Sequence, residues 1–209
     1  MELTELTVRS FADLLASNAP APGGGSTAAL EGALGAALSA MVSALTVGRK
    51  KYEEHWAFNE DVNQKAEALK ETFLVAINKD TDAFNAFTAA MAMPKETPEE
   101  KAARSAAMKE ALIACTESPY HMMELCVNAL GLVESQLGKT NTNAMSDLGV
   151  AALSLGAAIR GAWLNVMINV GGIKDAALAD HYRNDGRALL KQGEQLSEAI
   201  YTRIEAELQ

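Results

Sequence analysis

Residues 146–170 read SDLGVAALSLGAAIRGAWLNVMINV. From position 148 to 170 the stretch is apolar except for Ser154, Arg160 and two asparagines, Asn165 and Asn169. Its length suits a membrane span or a buried helix. Composition decides between them. Alanine and glycine dominate rather than Leu, Ile and Phe, and a guanidinium sits near the middle, which favours the buried helix of a soluble bundle. Residues 27–47 read the same way: apolar, apart from Glu31 and several Ser and Thr. There Ala28, Gly32, Ala36 and Ala40 recur every four residues, with Ala29, Ala33 and Ala37 beside them. At helical spacing this is a smooth ridge that lets a second backbone approach closely. The expected fold class is all-α: a multi-helix up-and-down bundle with Ala/Gly-rich central helices.

The rest of the chain agrees. Helical periodicity runs almost throughout, and no alternating β-branched run marks a strand. The pattern predicts helices over about 7–18, 26–47, 53–92, 98–117, 119–137, 144–171 and 174–208. Residues 53–92 form one long helix or two. Thr97, Pro98 and Glu100 make a capping-box pattern, and Pro119 is expected to end or kink a helix. No linker or repeat divides the chain, so 1–209 reads as one domain.

Charge and cysteine usage narrow the function. A net charge of −9 excludes a broad nucleic-acid footprint. Cys115 and Cys126 are the two cysteines. On one helix they lie about 16 Å apart, too far to bridge. A reducing, cytoplasmic setting is expected. The N-terminus, MELTELTVRSF, lacks a charged region followed by an apolar one, so no signal peptide is expected, and no membrane partner.

Candidate site residues fall in four places. Gly23-Gly24-Gly25-Ser26 fits neither a dinucleotide nor a P-loop fingerprint. Glycines permit positive φ and close ligand approach, and Ser26 or Thr27 can cap the next helix. The turn is either a ligand wall or a tight seat for one helix on another. Asp147, Ser154 and Asn165 point within about 20° of one another on a helix, with Asn169 about 40° round. Such a polar line needs partners, in the protein or in a ligand. Asp147 and Asn165 are about 27 Å apart, so they cannot both touch one small reacting centre. Asn78, Asp82 and Asn85 make a second line, and Asp82 is a ligand-facing or solvated carboxylate. Asp80 points elsewhere. Arg49-Lys50-Lys51-Tyr52 either completes a helix C-terminus or binds an anion. His55, His121 and His181 show no metal-ligand spacing, and no nucleophile motif supports covalent catalysis. Neither metal nor cofactor is expected.

Taken in order, PAPGGGSTAALEGALGAALSAMV (20–42), GRKKYEE (48–54), DTDAFNAF (80–87), MPKETPEEKAAR (93–104), SDLGVAAL (146–153) and AWLNVMINVGGIKD (162–175) resemble the cyclodeaminase/cyclohydrolase family of folate enzymes. That family includes stand-alone methenyltetrahydrofolate cyclohydrolases and the cyclodeaminase domain of formiminotransferase-cyclodeaminase. One departure is visible. The family often places Asn directly after the glycine of the loop before the Ser-Asp pair, whereas Lys139 follows Gly138 here and Asn141 and Asn143 come later. The resemblance implies an all-helical homodimer that binds a reduced folate without metal. It also implies hydrolysis of 5,10-methenyltetrahydrofolate to 10-formyltetrahydrofolate. Formiminotetrahydrofolate cyclodeamination is the alternative, and a non-catalytic helical interaction protein is the reading from another class. On this reading Asp147 is the base, with Asp82 as the alternative. Ser26, Asn165 and Asn169 orient water, Gly23–Gly25 wall the site, Arg49, Lys50 and Lys51 take carboxylates beside Tyr52, and Asn141 or Asn143 fills the loop position.

Overall fold

The computed structural model describes residues 2–209. Six α-helices carry the fold: α1 (Val8–Leu15), α2 (Gly24–Ala44), α3 (Trp56–Ala92), α4 (Pro98–Gln136), α5 (Met145–Val170) and α6 (Ala176–Glu207). Short 3-10 segments precede α1, α3 and α5, and no strand occurs among the described residues. The helices α2 and α5 pack against each other, and α3, α4 and α6 pack side by side against one face of that pair, α3 on α2, α6 on α5 and α4 between them.

The small-residue ridge explains how α2 fits. Ala28, Ala29, Ala33, Ala36 and Ala40 are buried. A Cβ built at Gly32 would lie 2.5 Å from the Phe73 ring, and one at Gly35 would lie 2.6 Å from Leu155 Cγ. The Phe73 ring of α3, and Leu155 with the Ala151 carbonyl of α5, therefore press directly on the α2 backbone, and a methyl at either glycine would have to displace a core side chain. Contacts of Gly24 with Asn165, Gly35 with Leu155, and Gly161 with Ala28 run in opposite chain directions, so α2 and α5 are antiparallel.

Three expectations from sequence change. First, residues 98–136 are one helix, with Pro119 buried inside it. A proline there removes the N–H that would bond the carbonyl four residues back, which is that of Cys115. Asn169 supplies the missing donor: its Nδ2 lies 2.8 Å from Cys115 O. Helix α4 continues because a side chain of α5 satisfies the carbonyl that the proline abandons. Second, 53–92 is a single helix from Trp56, preceded by a 3-10 segment with a non-helical Tyr52. Third, α2 starts at Gly24, with Gly23 as an N-cap that offers no side chain. Ser26 lies within the first turn and does not cap it. The expected capping box is present: Glu100 N–H donates to Thr97 Oγ1 at 3.2 Å, and Thr97 N–H donates to Glu100 Oε2 at 3.0 Å.

At the far end of α2 a buried amide network sets the register of three helices. Gln136 Nε2 donates to Ser39 O and to Ser43 Oγ, both at 2.9 Å, and its Oε1 accepts from Ser39 Oγ at 2.6 Å. Ser43 Oγ in turn donates to Asn59 Oδ1 at 3.1 Å. Every polar atom buried here finds a partner, as a dry interior demands.

Candidate active site

The glycine turn answers to a carboxylate. Asp80 lies on α3 in helical register with Phe73 and Ile77, which are buried. The same face that seats those side chains in the core turns the Asp80 carboxyl inward, under the first turn of α2. Ser26, fully buried, places its Oγ 3.0 Å from Asp80 Oδ2, 3.1 Å from Thr81 Oγ1 and 3.2 Å from Ile77 O. A Cβ built at Gly25 would lie 2.2 Å from Asp80 Oδ1. Gly25 is bare because the carboxyl fills its side-chain space. Positive φ plays no part in this turn; the glycines that adopt it are Gly48 and Gly138. Over Gly24 sits the amide of Asn165, whose Nδ2 would be 3.4 Å from an added Cβ and donates to Gly161 O at 2.9 Å.

Burial raises the Asp80 carboxyl above its ordinary pKa, and hydrogen bonds from the Ser26 hydroxyl and N–H only partly oppose that rise. The N-terminal end of α2 adds a positive dipole beside it. The thiol of Cys115, on α4, is pushed up by its own burial and then by the negative charge of Asp80. Four helices thus converge here: Gly24–Ser26 from α2, Asp80 from α3, Cys115 from α4 and Asn165 from α5.

The other expected residues sort by position. Asp82 is solvent-exposed, about 200° round the helix from Asp80. Asn78 is taken up structurally, its Oδ1 accepting from Leu3 N–H at 2.9 Å, and Asn85 is exposed. Asn169 holds the α4 carbonyl described above. Arg49, Lys50, Lys51, Tyr52, Asn141 and Asn143 line a separate hollow of about 310 Å³, and Asp147 is half-buried in the nearby first turn of α5. In this hollow Tyr52 Oη accepts from Thr142 N–H at 3.0 Å and lies 3.1 Å from its hydroxyl. Those bonds, with smaller help from Lys51, lower the phenol to about 8. Asn141 is a loop brace, donating to Leu45 O at 3.3 Å and accepting from Asn143 N–H at 3.1 Å. Lys139 stacks its ammonium 4.5 Å from the Phe58 ring centroid. This group sits at the opposite end of α2 from Asp80, about 30 Å away by helical rise.

Asp80 is the residue that sequence reading passed over. Its signal was the apolar register of Phe73 and Ile77, which places an acid where a core residue belongs.

Comparison with known proteins follows the same outline. A family model described as formiminotransferase-cyclodeaminase matches residues 7–188. The chain belongs to that family. It is 43% identical over 202 residues to a methenyltetrahydrofolate cyclohydrolase of Methylorubrum extorquens, with 97% of each chain covered. It is 32% identical over 199 residues to the formimidoyltransferase-cyclodeaminase of Sus scrofa, of which it spans 37%. A crystal structure of a formiminotetrahydrofolate cyclodeaminase from Thermotoga maritima matches with a TM-score of 0.80 at 25% identity, covering 98% of this chain and 96% of that one. The formiminotransferase-cyclodeaminase match takes in both the Asp80 cluster and the Arg49–Asp147 end, and stops inside α6.

Proposed function

We propose that the chain hydrolyses 5,10-methenyltetrahydrofolate to 10-formyltetrahydrofolate, with Asp80 as the base. The observation that carries this reading is the Asp80 carboxyl, desolvated and backed by Ser26 beneath the bare turn of α2. The substrate's reacting carbon bridges N5 and N10 in a cationic amidinium. A carboxylate short of water attracts that cation strongly. With its pKa raised by burial, it also accepts a proton more readily than an exposed acid does. Water oxygen bonds to the bridging carbon as one water proton passes to Asp80. The adduct then collapses: the C–N5 bond breaks, N5 takes the proton from Asp80, and the adduct hydroxyl gives its own proton to solvent as the formyl C=O forms on N10. Asn165, over Gly24, is placed to orient water or N10.

The 43% identity to a cyclohydrolase supports this reaction over cyclodeamination, which acts on the same carbon but expels ammonia. Side-by-side assay of 5,10-methenyltetrahydrofolate and 5-formiminotetrahydrofolate tests it. Faster loss of the methenyl chromophore than in buffer, with little ammonia from the formimino substrate, is the expected result. Ammonia release as the dominant activity would reassign the chain to the cyclodeaminases.

The active form is a homodimer of a cytoplasmic protein. Support comes from the outward face of the central pair: Leu34 on α2 and Val150, Leu153, Leu164 and Ile168 on α5 are all at least half exposed, an apolar stripe that a second copy would cover. The free thiols of Cys115 and Cys126 suit a reducing compartment. Light scattering should give twice the chain mass, and Leu164→Asp with Ile168→Asp should give monomers.

A further inference from the structure

A cavity of about 590 Å³ opens between the end of α3, the first half of α4 and the α5–α6 connection, its Leu112 and Asn169 about one helical turn from Cys115 and Asn165 of the Asp80 cluster. Phe87, Leu112, Ile113 and Ile173 form apolar walls, and Asn169 reaches its rim. Three cations also line it, Arg104, Lys109 and Lys174, and no acid does. In a chain of net charge −9 this is a local reversal of sign, set against a greasy surface. Arg104 is held in place: its Nε and Nη2 both donate to Met91 O at 3.2 Å. That fixes the guanidinium at the C-terminal end of α3.

Geometry ties the cavity to the reacting centre. Phe87 lies seven residues beyond Asp80 on the same face of α3, about 10 Å along the axis. Asn165 and Asn169 run parallel to them on α5, one turn apart. A ligand that starts at Asp80 and follows this line enters the cavity ring-first and ends among the cations.

We infer that this cavity seats the p-aminobenzoyl-glutamate end of the folate, its ring against Phe87 and Leu112 and its carboxylates at Arg104, Lys109 and Lys174. The assignment rests on the proposed function for the identity of the ligand. N10 carries both the one-carbon bridge and the aryl ring, so a bridge held at Asp80 sends the ring away from it along one direction. The other cavities suit this tail less well. The hollow at Arg49–Tyr52 is cationic but about 30 Å from Asp80. The cleft by Tyr120 and His181 carries Glu117 and Glu124, which repel a dianion. The depression at Arg160 carries Glu194 and Glu198.

The test is Lys109→Gln with Lys174→Gln, two exposed side chains whose neutralisation leaves the core intact. KM for 5,10-methenyltetrahydrofolate should rise about tenfold, the sum of two partly screened contacts, with kcat unchanged. Competitive inhibition by p-aminobenzoyl-L-glutamate should weaken in parallel, and calorimetry with that fragment should show the same loss. Unchanged KM and unchanged fragment binding overturn the assignment. So does a KM effect carried wholly by Lys50→Gln with Lys51→Gln. Should the wild-type chain turn over no folate yet bind the fragment through Lys109 and Lys174, the functional reading falls and the cavity assignment stands.

Discussion

Replacing Gly25 by alanine puts one methyl group against one carboxyl. The added Cβ would stand 2.2 Å from Asp80 Oδ1, 2.5 Å from Cγ and 2.6 Å from Oδ2, far inside contact distance, so Asp80 must move by roughly 1 Å to restore a normal approach. Two effects on stability oppose each other. Overpacking costs about 1–3 kcal/mol, and alanine returns up to about 1 kcal/mol of helix propensity. The net loss of stability should be about 0–3 kcal/mol, which leaves the variant folded. Catalysis has no such compensation. A displacement of this size at the reacting centre costs on the order of 100-fold in rate, and the Ser26 bond to Asp80 Oδ2 is broken as well. Turnover of 5,10-methenyltetrahydrofolate, followed by loss of its near-ultraviolet absorbance, should fall by about that factor. Urea unfolding should show only the small change in stability. If Gly25→Ala keeps wild-type kcat, Asp80 is not the base, because no arrangement keeps its carboxyl where it now lies.

Other expectations follow from single contacts. Burial raises the Asp80 pKa, so the acid limb of kcat/KM should lie above the ordinary carboxylate range and disappear in Asp80→Asn. Between its unfolded and folded pKa values the folded state keeps a proton that the unfolded state has lost. Its contribution to stability is therefore fully present below the unfolded pKa and is lost as pH rises through the folded one. Asp80→Asn should then match or exceed wild-type stability at neutral pH, an advantage that thermal melts should show fading as the pH is lowered through this window. Asn169→Ala orphans the Cys115 carbonyl and should cost about 1–3 kcal/mol. Pro119→Ala restores an N–H to that carbonyl, so a double-mutant cycle in urea should show Asn169→Ala costing less in the Pro119→Ala background. Gly131, inside α4, has no atom within 4 Å of its would-be Cβ; Gly131→Ala should stabilise by about 0.5–1 kcal/mol, visible as a raised midpoint with unchanged kcat.

What could be read from the sequence, and what could not, divides along one line. Features set within a single helix were legible. The periodicity of 146–170, the alanine ridge of α2 and the Thr97–Glu100 cap are each encoded by neighbours a few residues apart, and each is present in the fold. Features settled between helices were not. Pro119 reads as a break because the residue that tolerates it, Asn169, lies 50 positions away. Gly25 reads as a flexible turn because the group that needs its space, Asp80, belongs to another helix. The prominent acids misled in the same way. Asp82 lies in a visible polar line yet faces solvent, and Asp147 heads the central helix but starts from the end remote from Asn165.

The contact between positions 25 and 80 also restricts the order in which this chain can change. A side chain gained at 25 while the acid stands at 80 pushes the carboxyl out of place and costs activity, but once that acid is exchanged for alanine or serine the space opens and the glycine is released. A descendant that gave up its chemistry would therefore be free to lose the acid first and the glycine afterwards, with the reverse order passing through a clash. In a relative of this chain, a residue larger than glycine at 25 would mark a site whose carboxyl has already gone.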